Sequence, residues 1–104
     1  FGTEGVVTAD FNTGNDILSS MVLQTDGKIL VAGEATTESG DDAAGVIRYY
    51  VDGTLDTTYG TNGHQTTILS LGDPGARAMA IQSDAKVLIA GASNSSFNIA
   101  RLLP

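Results

Sequence analysis

The sequence predicts an all-β chain built as two four-stranded antiparallel sheets, each one copy of a repeated unit. Three observations point there. A long segment recurs at one fixed offset. Short apolar runs are bounded by turn residues. The inner runs of each copy are apolar without interruption, so both of their faces need cover.

The repeat decides the organisation. Phe1-Gly2-Thr3-Glu4-Gly5 recurs as Tyr59-Gly60-Thr61-Asn62-Gly63, and Leu23–Gly33 recurs as Ile81–Gly91, both 58 residues on and without a gap. Aligning 1–33 on 59–91 gives 12 identities in 33 positions, among them Asp26, Lys28 and Gly33 with their partners Asp84, Lys86 and Gly91. The 104 residues are thus one domain of two copies, about 1–58 and 59–104, the second lacking its last strand. Beyond the shared Ala-Gly, the first copy is about five residues longer, within 34–45.

Runs of Val, Ile, Leu and Tyr between Gly, Asp, Asn and Ser predict strands near 5–11, 19–25, 28–34 and 45–51. The second copy predicts strands near 64–70, 77–83, 86–93 and 97–103. The second and third strands of the first copy are joined by Thr25-Asp26-Gly27-Lys28. Its Asp-Gly pair suits a type I′ turn, in which both central residues take positive φ. Ala85 stands where the first copy has Gly27, so that turn is expected to be another type or to be strained. No window has a convincing amphipathic helical pattern, and Asn15–Gln24 reads as a loop leading into a strand.

Patterning then selects the architecture. A half-buried strand alternates apolar and polar residues. Ile29–Ala32, Val87–Ala90, Met21–Leu23 and Ala78–Ile81 do not alternate, whereas 5–11 and 64–69 are mixed like edge strands. Two sheets stacked alone would leave each outer face in water, forgoing about 25 cal/mol per Å² of burial. A ring in which every sheet lies between two others removes that loss. This is the β-propeller, with ~4–8 four-stranded blades.

At this point the residues resemble a known family. Gln24-x-Asp26-Gly27-Lys28-Ile29-Leu30-Val31-Ala32-Gly33, then Ile47-Arg48-Tyr49, then Asp52-Gly53-x-Leu55-Asp56-x-x-Tyr59-Gly60-x-x-Gly63 is similar to the delta-60 repeat. The resemblance spans nearly two copies and departs at Ala85. It implies a propeller-like tandem repeat of large bacterial proteins, extracellular or at the cell surface, with no catalytic residues to transfer. The implied role is a non-catalytic scaffold or partner-recognition surface; a glycan-binding propeller is the alternative.

Two blades cannot close a ring, so partners are expected. Phe1–Phe11 supplies a fourth strand without its first three, and Phe97–Pro104 a third strand without its fourth. The N-terminal strand of one copy is expected to complete the last blade of another, so that three or four chains joined head to tail close a six- or eight-bladed ring. The rival expectation is adjacent blades of a longer parent chain. The start at Phe1 fits either a removed targeting segment or a piece of something longer.

Composition narrows the chemistry. With no cysteine there is no disulfide framework, thiolate metal site or thiol nucleophile. Five bases against twelve acids argue against a nucleic-acid partner. No apolar run reaches the ~20 residues of a membrane-spanning helix, so no membrane insertion is expected. His64 is the lone histidine and reads as a surface residue. Without a clustered acid, base and nucleophile, the chain is not expected to be an enzyme, and no cofactor is expected. The acidic stretch with Glu38, Asp41 and Asp42 offers oxygen ligands for calcium, but without an EF-hand spacing it reads as a solvated loop. Asp26 and Asp84 read as turn caps and Lys28 and Lys86 as their solvated partners. Arg48 and Arg101 interrupt apolar strands. They read as structural, pairing with carboxylates such as Asp52 or Asp56; with Tyr49 they form a speculative ligand surface. The tyrosines 49, 50 and 59 read as packing residues that could alternatively stack on a sugar.

Overall fold

A computed structural model describes residues 1–9, 17–36, 42–67, 76–93 and 96–102. They form two antiparallel sheets and no helix. The first contains β1 (Ile17–Leu23), β2 (Ile29–Thr36), β3 (Asp42–Tyr49) and β4 (His64–Thr67) in the order β1-β2-β3-β4. The second contains β5 (Ala76–Ile81), β6 (Val87–Ser93) and β7 (Ser96–Leu102) in the order β5-β6-β7. Each strand lies beside its predecessor in the chain, as in the meander of a propeller blade.

The copies match in backbone as well as in sequence. A bulge falls between Leu18 and Ser20 in β1 and between Ala76 and Ala78 in β5, the same places in the repeat. Opposite the first bulge sits Gly33. A Cβ there would lie 1.9 Å from the Ile17 carbonyl oxygen, so glycine is what lets β1 and β2 approach. The five additional residues of the first copy lengthen its β2–β3 hairpin. Thr36 pairs with Asp42 across that longer connection, where the second copy pairs Ser93 with Ser96.

The hairpin turn differs from the expected type I′. Gly27 N–H donates to the Gln24 carbonyl at 3.0 Å, and Gln24 N–H to the Lys28 carbonyl at 2.8 Å. Gly27 has φ 88°, whereas Asp26 is not left-handed. This is a three-residue loop ending in a glycine bulge. Asp26 instead accepts the Lys28 N–H through its side chain at 3.1 Å. Ala85 makes the same bond to Gln82 at 2.9 Å and accepts a φ of 66° to do so. The second turn is therefore the same type under strain.

The predicted strand near 5–11 is not a sheet strand over 5–9; residues 10 and 11 lie outside the described residues. Only a Thr3–Val6 bridge forms there. In the second copy the equivalent segment is β4, which pairs with β3 of the sheet before it. Among the described residues no sheet pairs with Val6–Ala9. The predicted strand 64–70 is described to 67 and is formed that far.

Pleating sorts the side chains into faces. Leu30, Ala32, Ala44 and Val46 project from the first sheet, pack with Tyr59, and meet Val87 and Ile89 of the second; all seven are buried. Met79, Ile81 and Leu102 complete the contact from the second sheet. The other faces are not closed. Met21 and Leu23 are 62% and 68% exposed, and Phe97 and Ile99 are 94% and 75% exposed. The expectation that inner strands are covered front and back is met where the sheets meet and, on the first sheet's other face, at Ile47 and Tyr49, which are buried, but not at Met21 and Leu23. The reason is geometric: two stacked sheets share a single interface.

Candidate functional site

The first sheet carries a buried charged clasp beside the core. Arg48 projects from β3 on the same face as Leu30, its cross-strand partner. The loop after β3 returns so that Asp56 N–H donates to the Arg48 carbonyl at 3.0 Å. That bond aims the Asp56 carboxylate at the guanidinium, and Arg48 Nε donates to Asp56 Oδ2 at 2.8 Å. Lys28 Nζ lies 3.7 Å from the same oxygen. Thr58 donates to Oδ1 with both its N–H, at 3.0 Å, and its hydroxyl. Asp56 is fully buried. Burial alone would raise its pKa, but the bonds from Thr58, the Tyr50 hydroxyl and Arg48 outweigh burial and hold the carboxyl well below its usual range.

Tyr59 closes the clasp. The Arg48 guanidinium stacks over its ring at 4.6 Å from the centroid. Its hydroxyl is buried with no hydrogen-bond partner. Burial pushes that hydroxyl up to about 12, against the opposing charge of Arg48. Lys28 also lies over the Tyr50 ring, 5.7 Å from its centroid. Every cation here is engaged by an acid or an aromatic face. Fixed charges of this kind tie β3, the β1–β2 turn and the following loop together.

The sequence-predicted residues separate. Arg48 lies in the clasp, and Tyr49, the next residue on β3, points to the opposite face of the sheet, where burial raises its pKa. Arg101 is exposed on β7 of the other sheet. The three do not converge. Asp26 and Asp84 cap their turns by accepting the Lys28 and Lys86 N–H groups at 3.1 and 3.2 Å. Lys86 Nζ pairs with Asp84 at 3.0 Å, and this bond lowers the Asp84 pKa. Asp52 does not pair with Arg48; it accepts from Thr54 N–H at 2.9 Å and from its hydroxyl. Gly33 and Gly91 are both buried. His64 Nδ1 donates to the Asn62 carbonyl at 2.9 Å. Glu38 and Asp41 lie outside the described residues, as does the Asp42 side chain. Among the described residues no three His, Asp or Glu side chains gather as a metal site requires.

The larger feature is the open face of the first sheet. Ile29, Val31, Ile47, Tyr49 and Met21 floor a groove of about 400 Å³, and the segment Phe1–Ala9 walls one side. Gly2 N–H holds that wall in place by donating to the Asp52 carbonyl at 3.1 Å. The repeat gives this face a meaning. Met21, Leu23, Ile29 and Val31 are the equivalents of Met79, Ile81, Val87 and Ile89, which the first sheet covers. On the far side of the molecule Leu88, Ala90, Phe97 and Ile99 are the equivalents of the covering residues Leu30, Ala32, Ala44 and Val46. One chain thus carries, at its two ends, residues equivalent to those on the two sides of its own internal interface. Patterning pointed to these faces; the wall made by Phe1 and Val7 had no signal in the sequence beyond the repeat itself.

Four- and three-stranded antiparallel meanders stacked face to face, with a repeat that places one on the other, are propeller blades. A family model described as "domain of unknown function (DUF5122) beta-propeller" matches residues 24–59 and 82–104. The chain belongs to that family. No curated protein and no solved structure matches it.

Proposed function

We propose that the chain is a non-catalytic scaffold of the delta-60 type, at the surface of a bacterial cell or outside it, and that its working surfaces are the two open blade faces. These stack head to tail on other copies, three or four of which close a ring of six or eight blades. The observation that supports this is the equivalence of the two open faces to the two halves of the closed one. Each carries apolar residues equivalent to those that meet in the closed interface.

Charge favours the same arrangement. Residues 1–58 carry ten acids and two bases, and residues 59–104 two acids and three bases. Head-to-tail stacking sets the acidic copy beside the near-neutral one. A head-to-head pair would bring two strongly acidic copies together and be repelled at low salt.

Single-face variants test the reading. Met21→Lys removes one face and Ile99→Lys the other, both at exposed positions where folding is little affected. Alone, each variant is expected to be a monomer by sedimentation. Mixed in equal amounts they should form a one-to-one dimer, because each retains the face the other lacks. Persistent monomers in the mixture, beside an assembled unmodified chain, would contradict head-to-tail stacking.

A further inference from the structure

The turn that launches β4 contains the only Asn-Gly pair in the sequence, Asn62-Gly63. Asparagine before glycine is chemically labile, because the next residue has no side chain to crowd the reaction. The following backbone nitrogen loses its proton and attacks the Asn Cγ. The bond from Cγ to the amide nitrogen breaks, ammonia leaves, and a five-membered succinimide closes. Water then opens the ring at either carbonyl. The net change is a side-chain amide and water becoming a carboxylate and ammonium. Opening at Cγ gives aspartate in a normal backbone. Opening at the main-chain carbonyl gives isoaspartate, whose backbone runs through Cβ and is one methylene longer.

The fold cannot give up the glycine. Gly63 has φ 90°, and a Cβ there would lie 2.7 Å from Leu55 Cδ1 and 3.2 Å from the Asp56 carbonyl oxygen. The asparagine is not demanded in the same way. The first copy makes the same turn, with Thr3–Val6 bridged as Thr61–His64 is. Glu4 stands there at φ 55° where Asn62 has 53°. A Glu side chain is one carbon too long for the five-membered ring. Asp26 and Asp52 also precede glycine, but each presents a carboxylate, a poor target for attack, and each accepts a backbone N–H two residues on. The labile pair thus belongs to the second turn alone.

Folding holds the reaction off. Gly63 N–H, the group that must attack, donates to the Tyr59 carbonyl at 2.8 Å, and Gly63 is buried. His64 N–H donates to the Thr61 carbonyl at 3.1 Å, and Arg48 N–H to the Gly63 carbonyl at 3.3 Å. An amide bonded in this way is released only when its segment opens. Asn62 itself is exposed to the water that completes the step. We infer that Asn62 is a deamidation site gated by opening of the turn from Tyr59 to His64, and that its isoaspartyl product does not re-form that turn. The added methylene lies between Asn62 Cα and Gly63 N. It breaks the spacing that lets Gly63 reach Tyr59 while His64 reaches Thr61. β4 then loses the turn that launches it, and the Ile47–His64 pair at the start of its ladder opens. The change accumulates with time spent open and is not reversed, whatever the chain assembles with.

The test ages the full chain, folded and in denaturant, in one mildly alkaline buffer, and follows each asparagine by peptide mass spectrometry. Asn12, Asn15, Asn94 and Asn98, none of them before glycine, are the internal references. In denaturant Asn62 is expected to convert about tenfold or more faster than any reference, and about tenfold or more faster than in the folded chain. Conversion no faster than the references would overturn the site. Equal rates folded and denatured would overturn the gating. Isoaspartyl chains are then separated by ion exchange, and amide exchange is read at Gly63 and His64. Protection there should fall about tenfold or more, whereas Asn62→Asp, which adds the charge without the methylene, should keep it. Native protection in the isoaspartyl chain would overturn the loss of the turn.

Discussion

Asp56 has no exposed surface, yet it is ionised and holds four donors in place. Its carboxylate is the point at which β3, the β1–β2 turn and the loop before Tyr59 meet. Asp56→Asn keeps the shape and removes the charge, leaving Arg48 and Lys28 without their anion. A loss of about 2 kcal/mol is expected in denaturant unfolding, the value of a hydrogen bond to a charged group. The acid limb of stability should change with it. The unfolded carboxyl takes up a proton near its ordinary 3.8, and the folded one only at lower pH. The contribution is therefore complete above about pH 4 and lost as pH falls toward the folded value. Stability of the variant should fall less steeply over that range. Tyr59 makes the opposite case. Its buried hydroxyl has no partner, so Tyr59→Phe should be neutral or stabilising by up to ~1 kcal/mol. Phe1 at the equivalent position shows that the turn accepts phenylalanine. Because burial raises the hydroxyl to about 12, the wild type should lose stability as pH rises from about 10 to 12. The phenylalanine variant should not.

At the scale of elements, β1 and β2 meet at a bulge that only glycine permits. Gly33→Ala would set a methyl against backbone, not against a movable side chain. A loss of about 3 kcal/mol is expected, at the upper end of overpacking costs, measurable by thermal or denaturant unfolding. Most strands are legible in the sequence, because runs such as Ile29–Ala32 and Val87–Ala90 are short, rich in β-branched residues and bounded by turn residues; the segment 5–9 is the exception. The turn was misjudged for a definite reason. Asp-Gly satisfies both a two-residue and a three-residue hairpin, and the flanking hydrogen bonds of Gln24 decide between them. No local pattern records those bonds. Val6–Ala9 shows the other limit. Its residues favour a strand, but a strand exists only beside a partner. The sequence offers Arg48 carboxylates such as Asp52 and Asp56, and the return of the loop selects Asp56. The stacking of Arg48 on Tyr59 was not legible, since it depends on a turn that brings residues eleven apart into contact.

At the scale of the molecule, the apolar runs demand cover on both faces, and one chain provides it fully on one face and in part on the other, where Ile47 and Tyr49 are buried but Met21 and Leu23 are not. Leu30, Val46, Val87 and Ile89 form a closed interface; Met21, Leu23, Phe97 and Ile99 form its unfinished copies at each end. Blades stack as nearest neighbours, so stability should rise with each interface closed. The unmodified chain should thus melt at a temperature that increases with its concentration. The most direct measurement is the mass of the native particle in solution, by light scattering on the 104-residue chain. The account predicts a discrete particle of three or four times the 10.7 kDa chain mass. A stable, well-behaved monomer at all concentrations would contradict it.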